Sequence, residues 1–110
     1  MPSSNYRIAR KAIENEQQIT CRYEGCYREL CPHIIGWTKG DEKLLAWQFG
    51  GETNSILPPG GMWRCIFLSR VSDVNVRNGR WHTGSYHRAE QTCVQQIDLD
   101  INVHVRVGVR

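Results

Sequence analysis

Arginine is the residue type of this chain that is best suited to binding chemistry. Eleven of its fourteen basic residues are arginine, and a guanidinium group can form two parallel hydrogen bonds with a phosphate and stack on bases. Arg64 and Arg70 are six positions apart, so in an extended strand they share a face, about 20 Å apart at roughly 3.3 Å per residue. This spacing indicates an anion or oligonucleotide site. The alternatives are two solvated arginines at strand ends and the compositional habit of an arginine-rich host.

Trp47 and His33 are two further side chains with binding chemistry. The indole of Trp47 could stack on a base, at about 1–3 kcal/mol per base, but Leu45 and Phe49 share its side of the strand, which equally indicates core packing. His33 follows Pro32 and shares strand parity with apolar residues, which favours a neutral, buried histidine over a ligand contact.

A metal site at Cys26, Cys31 and His33 is not supported by their spacing. The chain has no Cys-x-x-Cys pair, and a closed zinc site needs four ligands, usually more tightly spaced. We therefore expect no metal and no cofactor.

Catalytic signatures are missing from the sequence. It contains no Gly-x-Ser-x-Gly and no Gly-Lys-Ser/Thr phosphate loop. His82 and His87 lie near Ser85, but closeness in sequence is not the geometry that a nucleophile and its base require. We expect the protein not to be an enzyme.

Length and composition favour one small β domain. A chain of 110 residues is expected to fold around a single core, and ten glycines, four prolines and scattered β-branched residues favour strands over a helical bundle. The formal net charge of +3 permits a nucleic-acid partner without requiring one.

The cysteines and the start of the chain predict a cytoplasmic protein. Five cysteines are an odd number, which fits reduced thiols better than a secreted disulfide framework. Residues 1–10 have no hydrophobic signal core, and no apolar run approaches the roughly 20 residues of a membrane-spanning helix.

Hydrophobic periodicity predicts a helix followed by strands. Apolar residues recur at helical spacing from Ile8 to Ile13, after a cap at Ser4 or Asn5, which predicts a leading helix within residues 1–17. The period then changes to two, and residues 18–77 are predicted to hold strands at 19–23, 28–37, 44–49, 63–68 and 71–76. Pro32 cannot donate a ladder hydrogen bond and therefore predicts a bulge or an edge. Residues 50–61 and 78–96 are predicted to be irregular.

The C-terminal residues 97–110 show the clearest alternation in the chain. Seven apolar residues alternate with mostly polar ones, which predicts one long strand. A small barrel cannot easily bury all of it, so we expect its second half to pair with a second copy in a homodimer. The alternatives are a tail that folds back on its own barrel and one that frays in solution.

Taken in order, several short segments resemble the WYL domain, a small Sm-like β-barrel of bacteria and their phages. The resemblance spans nearly the whole chain. It rests on Ala12-Ile13, Tyr23, Arg28, Pro32-His33-Ile34-Ile35-Gly36, Leu44-Leu45-Ala46-Trp47, Trp63-Arg64 and Phe67-Leu68-Ser69-Arg70-Val71. The resemblance implies a regulatory module that holds a nucleotide or single-stranded nucleic acid with arginines and an aromatic side chain. The matching positions are Arg28, His33, Trp47, Arg64 and Arg70.

The chain departs from the family pattern at two places. The name-giving Trp-Tyr-Leu is replaced by Glu42-Lys43-Leu44, and Ser69 stands where an acidic residue usually precedes the late arginine. The single leading helix leaves no room for the helix-turn-helix that many relatives carry, so direct promoter reading is not supported.

Together these patterns predict a mainly-β, single-domain fold: a small, Sm-like, partly open β-barrel of about five strands with one N-terminal helix and a long C-terminal strand. The expected function is ligand sensing or nucleic-acid binding in regulation. The alternative is an assembly module that pairs with itself or a partner through its C-terminal strand.

Overall fold

The computed structural model describes residues 2–54, 56–84 and 91–102. They form one helix, one short 3₁₀ turn at Leu68–Arg70, and six strands. The helix α1 spans Ser4–Glu14, and the strands are β1 (Gln18–Tyr23), β2 (Cys26–Thr38), β3 (Asp41–Gly51), β4 (Met62–Phe67), β5 (Val71–Arg77) and β6 (Gln96–Asp100). Among the described residues, no helix is long and apolar enough to cross a membrane.

All six strands belong to one antiparallel sheet that does not close into a barrel. Its order is β4-β3-β2-β1-β5, and β6 pairs with β2. The start of β2 pairs with β1, while its end pairs with β6, and β3 follows nearly its whole length. The predicted mainly-β architecture with one N-terminal helix is confirmed.

The predicted irregularity at Pro32 is a β-bulge. The pairing of β2 with β3 shifts between Pro32 and Ile34, which makes His33 the extra residue on the bulged strand. The missing amide proton of Pro32 explains why the ladder breaks at this point.

Helix α1 covers one face of the sheet, which we call the inner face. Ser3, rather than Ser4 or Asn5, caps the helix, because its hydroxyl accepts a hydrogen bond from the backbone N–H of Tyr6 at 3.1 Å. The buried side of the helix carries Tyr6, Ala9, Ala12 and Ile13, whereas Ile8 is 36 % exposed. The inner-face core contains Leu44, Ala46 and Ile66 from β3 and β4, together with these helix residues.

The opposite face, which we call the outer face, carries a smaller core and a disulfide bond. Ile34, Leu45 and Trp63 pack there against Cys93 and Val94. Cys93 is bonded to Cys65, with their Cα atoms 5.5 Å apart. The prediction that all five thiols are unpaired is therefore wrong: Cys21, Cys26 and Cys31 are free and buried, but Cys65 and Cys93, distant in sequence, meet on the outer face.

A disulfide is typical of oxidising compartments. The odd number of cysteines was one argument for a cytoplasmic location, and the pairing of Cys65 with Cys93 removes it. The cytoplasmic location therefore stays a prediction.

The C-terminal strand is shorter than predicted. β6 ends at Asp100, whose carboxylate accepts a hydrogen bond from the backbone N–H of Asn102 at 3.0 Å, and Ile101 and Asn102 have helical backbone. Such a side-chain acceptor at the start of a turn competes with continued strand pairing. Residues 103–110, on which the homodimer prediction depends, lie outside the described residues, so that prediction is untested.

Candidate anion-binding site

Two of the predicted site residues, Arg28 and Arg64, meet on the inner face around one shared acceptor. The side-chain oxygen of Gln48 accepts a hydrogen bond from Arg64 Nε at 2.9 Å and from Arg28 Nη1 at 3.3 Å. The two guanidinium groups therefore lie side by side, separated by a neutral amide oxygen. We call Arg28 and Arg64 the arginine pair.

The register of three neighbouring strands brings the pair together. Arg64 of β4 pairs with Ala46 of β3, and Ala46 shares strand parity with Gln48. Residues of one parity face the same side of a sheet, so Arg64 and Gln48 continue the row of inner-face side chains beyond the apolar core. Arg28 enters the same face from β2, two positions before buried Leu30.

Gln48 is held in a fixed orientation. Its side-chain nitrogen donates to the carbonyl oxygens of Gly50 at 3.0 Å and Glu52 at 2.9 Å. Because those carbonyls only accept, the amide oxygen must point at the arginine pair. Gln48 is fully buried and offers the pair an acceptor without a negative charge.

Arg28 is buried with part of its hydrogen-bonding capacity unused. It is 2 % exposed, and its Nε has no hydrogen-bond partner among the described residues. The guanidinium lies over the ring of Tyr23, 5.3 Å from the ring centroid. The hydroxyl of Tyr23 accepts from the backbone N–H of Phe67 at 3.1 Å, which anchors this ring to β4. An unpaired polar group of this kind is costly unless a partner is supplied.

The charges around the pair do not balance. Glu24 is the only described carboxylate within ion-pair distance of either guanidinium; it lies 3.5 Å from Arg28 Nη2, and its side chain is 51 % exposed. Burial and the positive charge of Arg28 lower the pKa of Arg64, the direction expected for two cations forced together out of water. One positive charge remains in excess.

A short segment after β3 covers the pair. The hydroxyl of Thr53 accepts a hydrogen bond from Arg64 Nη2 at 2.6 Å. Gly51 makes this approach possible: its φ is +89°, and a Cβ there would lie 2.4 Å from the carbonyl oxygen of Tyr27. Thr53, which is half-buried like Arg64, therefore packs against the Arg64 guanidinium.

Arg70 lies apart from the arginine pair. β4 ends at Phe67, and the 3₁₀ turn Leu68–Arg70 follows. The turn removes the shared face that an unbroken strand would give Arg64 and Arg70. Arg70 is exposed and packs over the ring of Phe67, 4.3 Å from its centroid, while Lys43 Nζ lies 3.7 Å from the same centroid.

Trp47 and His33 belong to an aromatic cluster with Trp63 and Trp81. The ring centroids of His33 lie 4.8 Å from Trp63 and 4.9 Å from Trp81, and those of Trp47 and Trp63 lie 5.0 Å apart. Trp47 pairs with Trp63 in the β3–β4 register. Because Arg64 follows Trp63 in β4, and successive side chains of a strand face opposite sides, Trp47 lies on the face opposite to Arg64. The arginines and Trp47 therefore do not form one surface.

His33 and Trp47 are both held by polar contacts within this aromatic cluster. His33 is 1 % exposed, and its Nδ1 lies 2.8 Å from the carbonyl oxygen of Cys31, so Nδ1 carries a proton. Trp47 Nε1 donates to the carbonyl oxygen of Gly60 at 3.0 Å. The backbone of Gly84 lies against the Trp47 ring, since a Cβ there would be 2.1 Å from Cζ3. These contacts give His33 and Trp47 a packing role in the fold.

Sequence reasoning did not identify Gln48 or Thr53 as site residues. Gln48 could have been found from strand parity, because it continues the apolar series Leu44 and Ala46 at a position where a polar side chain is costly. Thr53 follows a glycine pair in an irregular segment, and no sequence signal connects it with Arg64.

Among the residues that the structure describes, no three of His, Cys, Asp and Glu are placed to hold a metal ion. Comparison of the chain with known protein families, with curated proteins and with solved structures found no match. The resemblance to the WYL domain is thus untested, and the site itself is the basis for assigning a function.

Proposed function

We propose that the chain is a binding module that captures an anionic ligand of the nucleotide or single-stranded oligonucleotide class with the arginine pair. The observation that carries this proposal is the buried Arg28 guanidinium, which shares a neutral acceptor with Arg64 and has no partner for its Nε among the described residues. Two adjacent guanidiniums are the arrangement that suits phosphate oxygens.

Ligand binding would stabilise this fold. A phosphate group at the arginine pair supplies the negative charge and the acceptor oxygens that the protein itself does not provide there. A ligand that binds only the folded state raises the free energy of unfolding in proportion to the logarithm of its concentration. The proposed sensing role depends on this coupling, because side chains of β1, β2, β3, β4 and the segment after β3 meet at the site.

The experiment is a titration of the protein with inorganic phosphate and with a nucleoside 5′-monophosphate at low and high salt. Binding is followed by calorimetry and by the melting temperature. We expect saturable binding that weakens with salt, because the contacts are charged, and an increase in melting temperature.

Arg64→Ala is the informative variant, and Arg22→Ala is its matched control. Arg22 is exposed on β1, so its removal changes the net charge equally without touching the site. We expect Arg64→Ala to weaken binding by at least about tenfold, as for loss of a charge-assisted hydrogen bond, and Arg22→Ala to bind normally. Equal weakening in both variants, or no binding by the native chain, would contradict the proposal.

A further inference from the structure

We propose that the group captured by the arginine pair is a terminal phosphate monoester, the 5′- or 3′-phosphate of a nucleotide or of a strand end, and not an internal phosphodiester. This inference rests on the proposed function, because it names the ligand group that the same site accepts. Access, charge and the position of Thr53 each lead to it.

Access to the pair is narrow. The side chain of Arg28 is 3 % exposed, with Gln48 beside its guanidinium and the Tyr23 ring over it. Arg64 is half-buried and is reached past Thr53. An internal phosphodiester carries two sugar substituents on opposite sides, whereas a terminal phosphate has one. Only a terminal phosphate can enter with its oxygens first while the rest of the ligand stays in solvent.

The charge of the site also favours the monoester. Arg28 and Arg64 carry two positive charges, and Glu24 opposes them through a single contact of 3.5 Å from a side chain that is 51 % exposed. Because the Glu24 carboxylate itself is half exposed, water and salt weaken its contact with the buried Arg28, and a ligand phosphate can displace it. A phosphate monoester carries about −1.5 to −2 charges at pH 7, so it matches the arginine pair more closely than a singly charged diester.

The hydroxyl of Thr53 marks the position of one ligand oxygen. It accepts from Arg64 Nη2 at 2.6 Å, a short contact for a neutral oxygen. A phosphate oxygen that replaces it exchanges a neutral acceptor for a charged one, which strengthens the hydrogen bond. Glu52 is held by the backbone of Tyr27 and by Gln48. The residues that must move therefore lie beyond it, where the side chain of Asn54 accepts from Cys26 Sγ at 3.5 Å and donates to the carbonyl oxygen of Glu24 at 3.3 Å.

The test compares the affinities of one short single-stranded oligothymidylate in three forms, with a 5′-phosphate, with a 3′-phosphate and with hydroxyls at both ends. Thymidine 5′-monophosphate and thymidine complete the series. We expect each phosphorylated probe to bind at least about tenfold more tightly than its hydroxyl counterpart. Thymidine 5′-monophosphate then distinguishes the two sources of a terminal phosphate. If it binds as tightly as the phosphorylated strand, the ligand is a free nucleotide; if it binds more weakly, the ligand is a strand end.

Thr53→Asp and Thr53→Asn provide a matched pair of equal size and different charge. Thr53 is in an irregular segment and only half-buried, so both variants are expected to fold, which circular dichroism checks. The aspartate would pair with Arg64 and occupy the phosphate position, so we expect Thr53→Asp to lose the preference for terminal phosphate and Thr53→Asn to keep it.

The failures are distinguishable. If the hydroxyl-ended strand binds as tightly as the phosphorylated ones and this binding needs Arg64, the inference is wrong while the proposed function stands. If Thr53→Asp keeps the full preference, the assigned oxygen position is wrong and the inference is overturned. If no probe binds, inference and proposed function fall together.

Discussion

The Cys65–Cys93 disulfide provides a prediction whose size follows from the covalent structure. The two cysteines are 28 positions apart in sequence. In the chain-entropy description, closing a loop of this length stabilises the fold by about 3.6 kcal/mol at about 25 °C. Reduction, or the substitution Cys65→Ser, should therefore lower the free energy of unfolding by this amount and the melting temperature by roughly 15 °C. Cys65 is exposed, so serine at this position adds no buried hydroxyl.

Thermal unfolding of the native chain and of Cys65→Ser, each with and without a dithiol reductant, measures the effect. Reductant should destabilise the native chain and leave Cys65→Ser unchanged, which makes the variant its own control. Alkylation of the denatured, unreduced protein should label three cysteines, because Cys21, Cys26 and Cys31 are the free ones. Labelling of all five, together with a melting temperature that ignores reductant, would refute the disulfide.

Two further predictions concern α1 and the segment over the arginine pair. Burial raises the pKa of Asp98, but hydrogen bonds from Tyr6 and Arg10 outweigh it and hold that pKa below its ordinary value. The stabilisation that the Asp98 carboxylate contributes is thus present above its unfolded-state pKa and is lost as pH falls through its folded-state pKa. In denaturant titrations, Asp98→Asn should therefore lower the free energy of unfolding at pH 7, and lower it less at pH 3. An equal effect at both pH values would contradict this. Gly51→Ala should cost about 1–3 kcal/mol, because alanine must adopt a φ of +89° and its Cβ would approach the carbonyl oxygen of Tyr27; an unchanged urea midpoint would count against the described backbone.

Local patterns of the sequence determined most of the secondary structure. The helical spacing before residue 14 and the period of two afterwards correspond to α1 and to β1 through β5. The ring of Pro32 determined where the longest strand bulges. These features were predictable because hydrophobic periodicity and the missing amide proton act within a few residues.

Contacts between distant residues decided the rest. Arg28 and Arg64 are 36 positions apart, and only the register of β2, β3 and β4 makes them share the oxygen of Gln48. The Cys65–Cys93 bond likewise depends on how a segment before β6 crosses the outer face. The 3₁₀ turn that ends at Arg70 removed the shared face that the six-residue spacing of Arg64 and Arg70 had suggested. Sequence alternation determines which face a side chain takes, whereas register and strand order decide which side chains meet on that face.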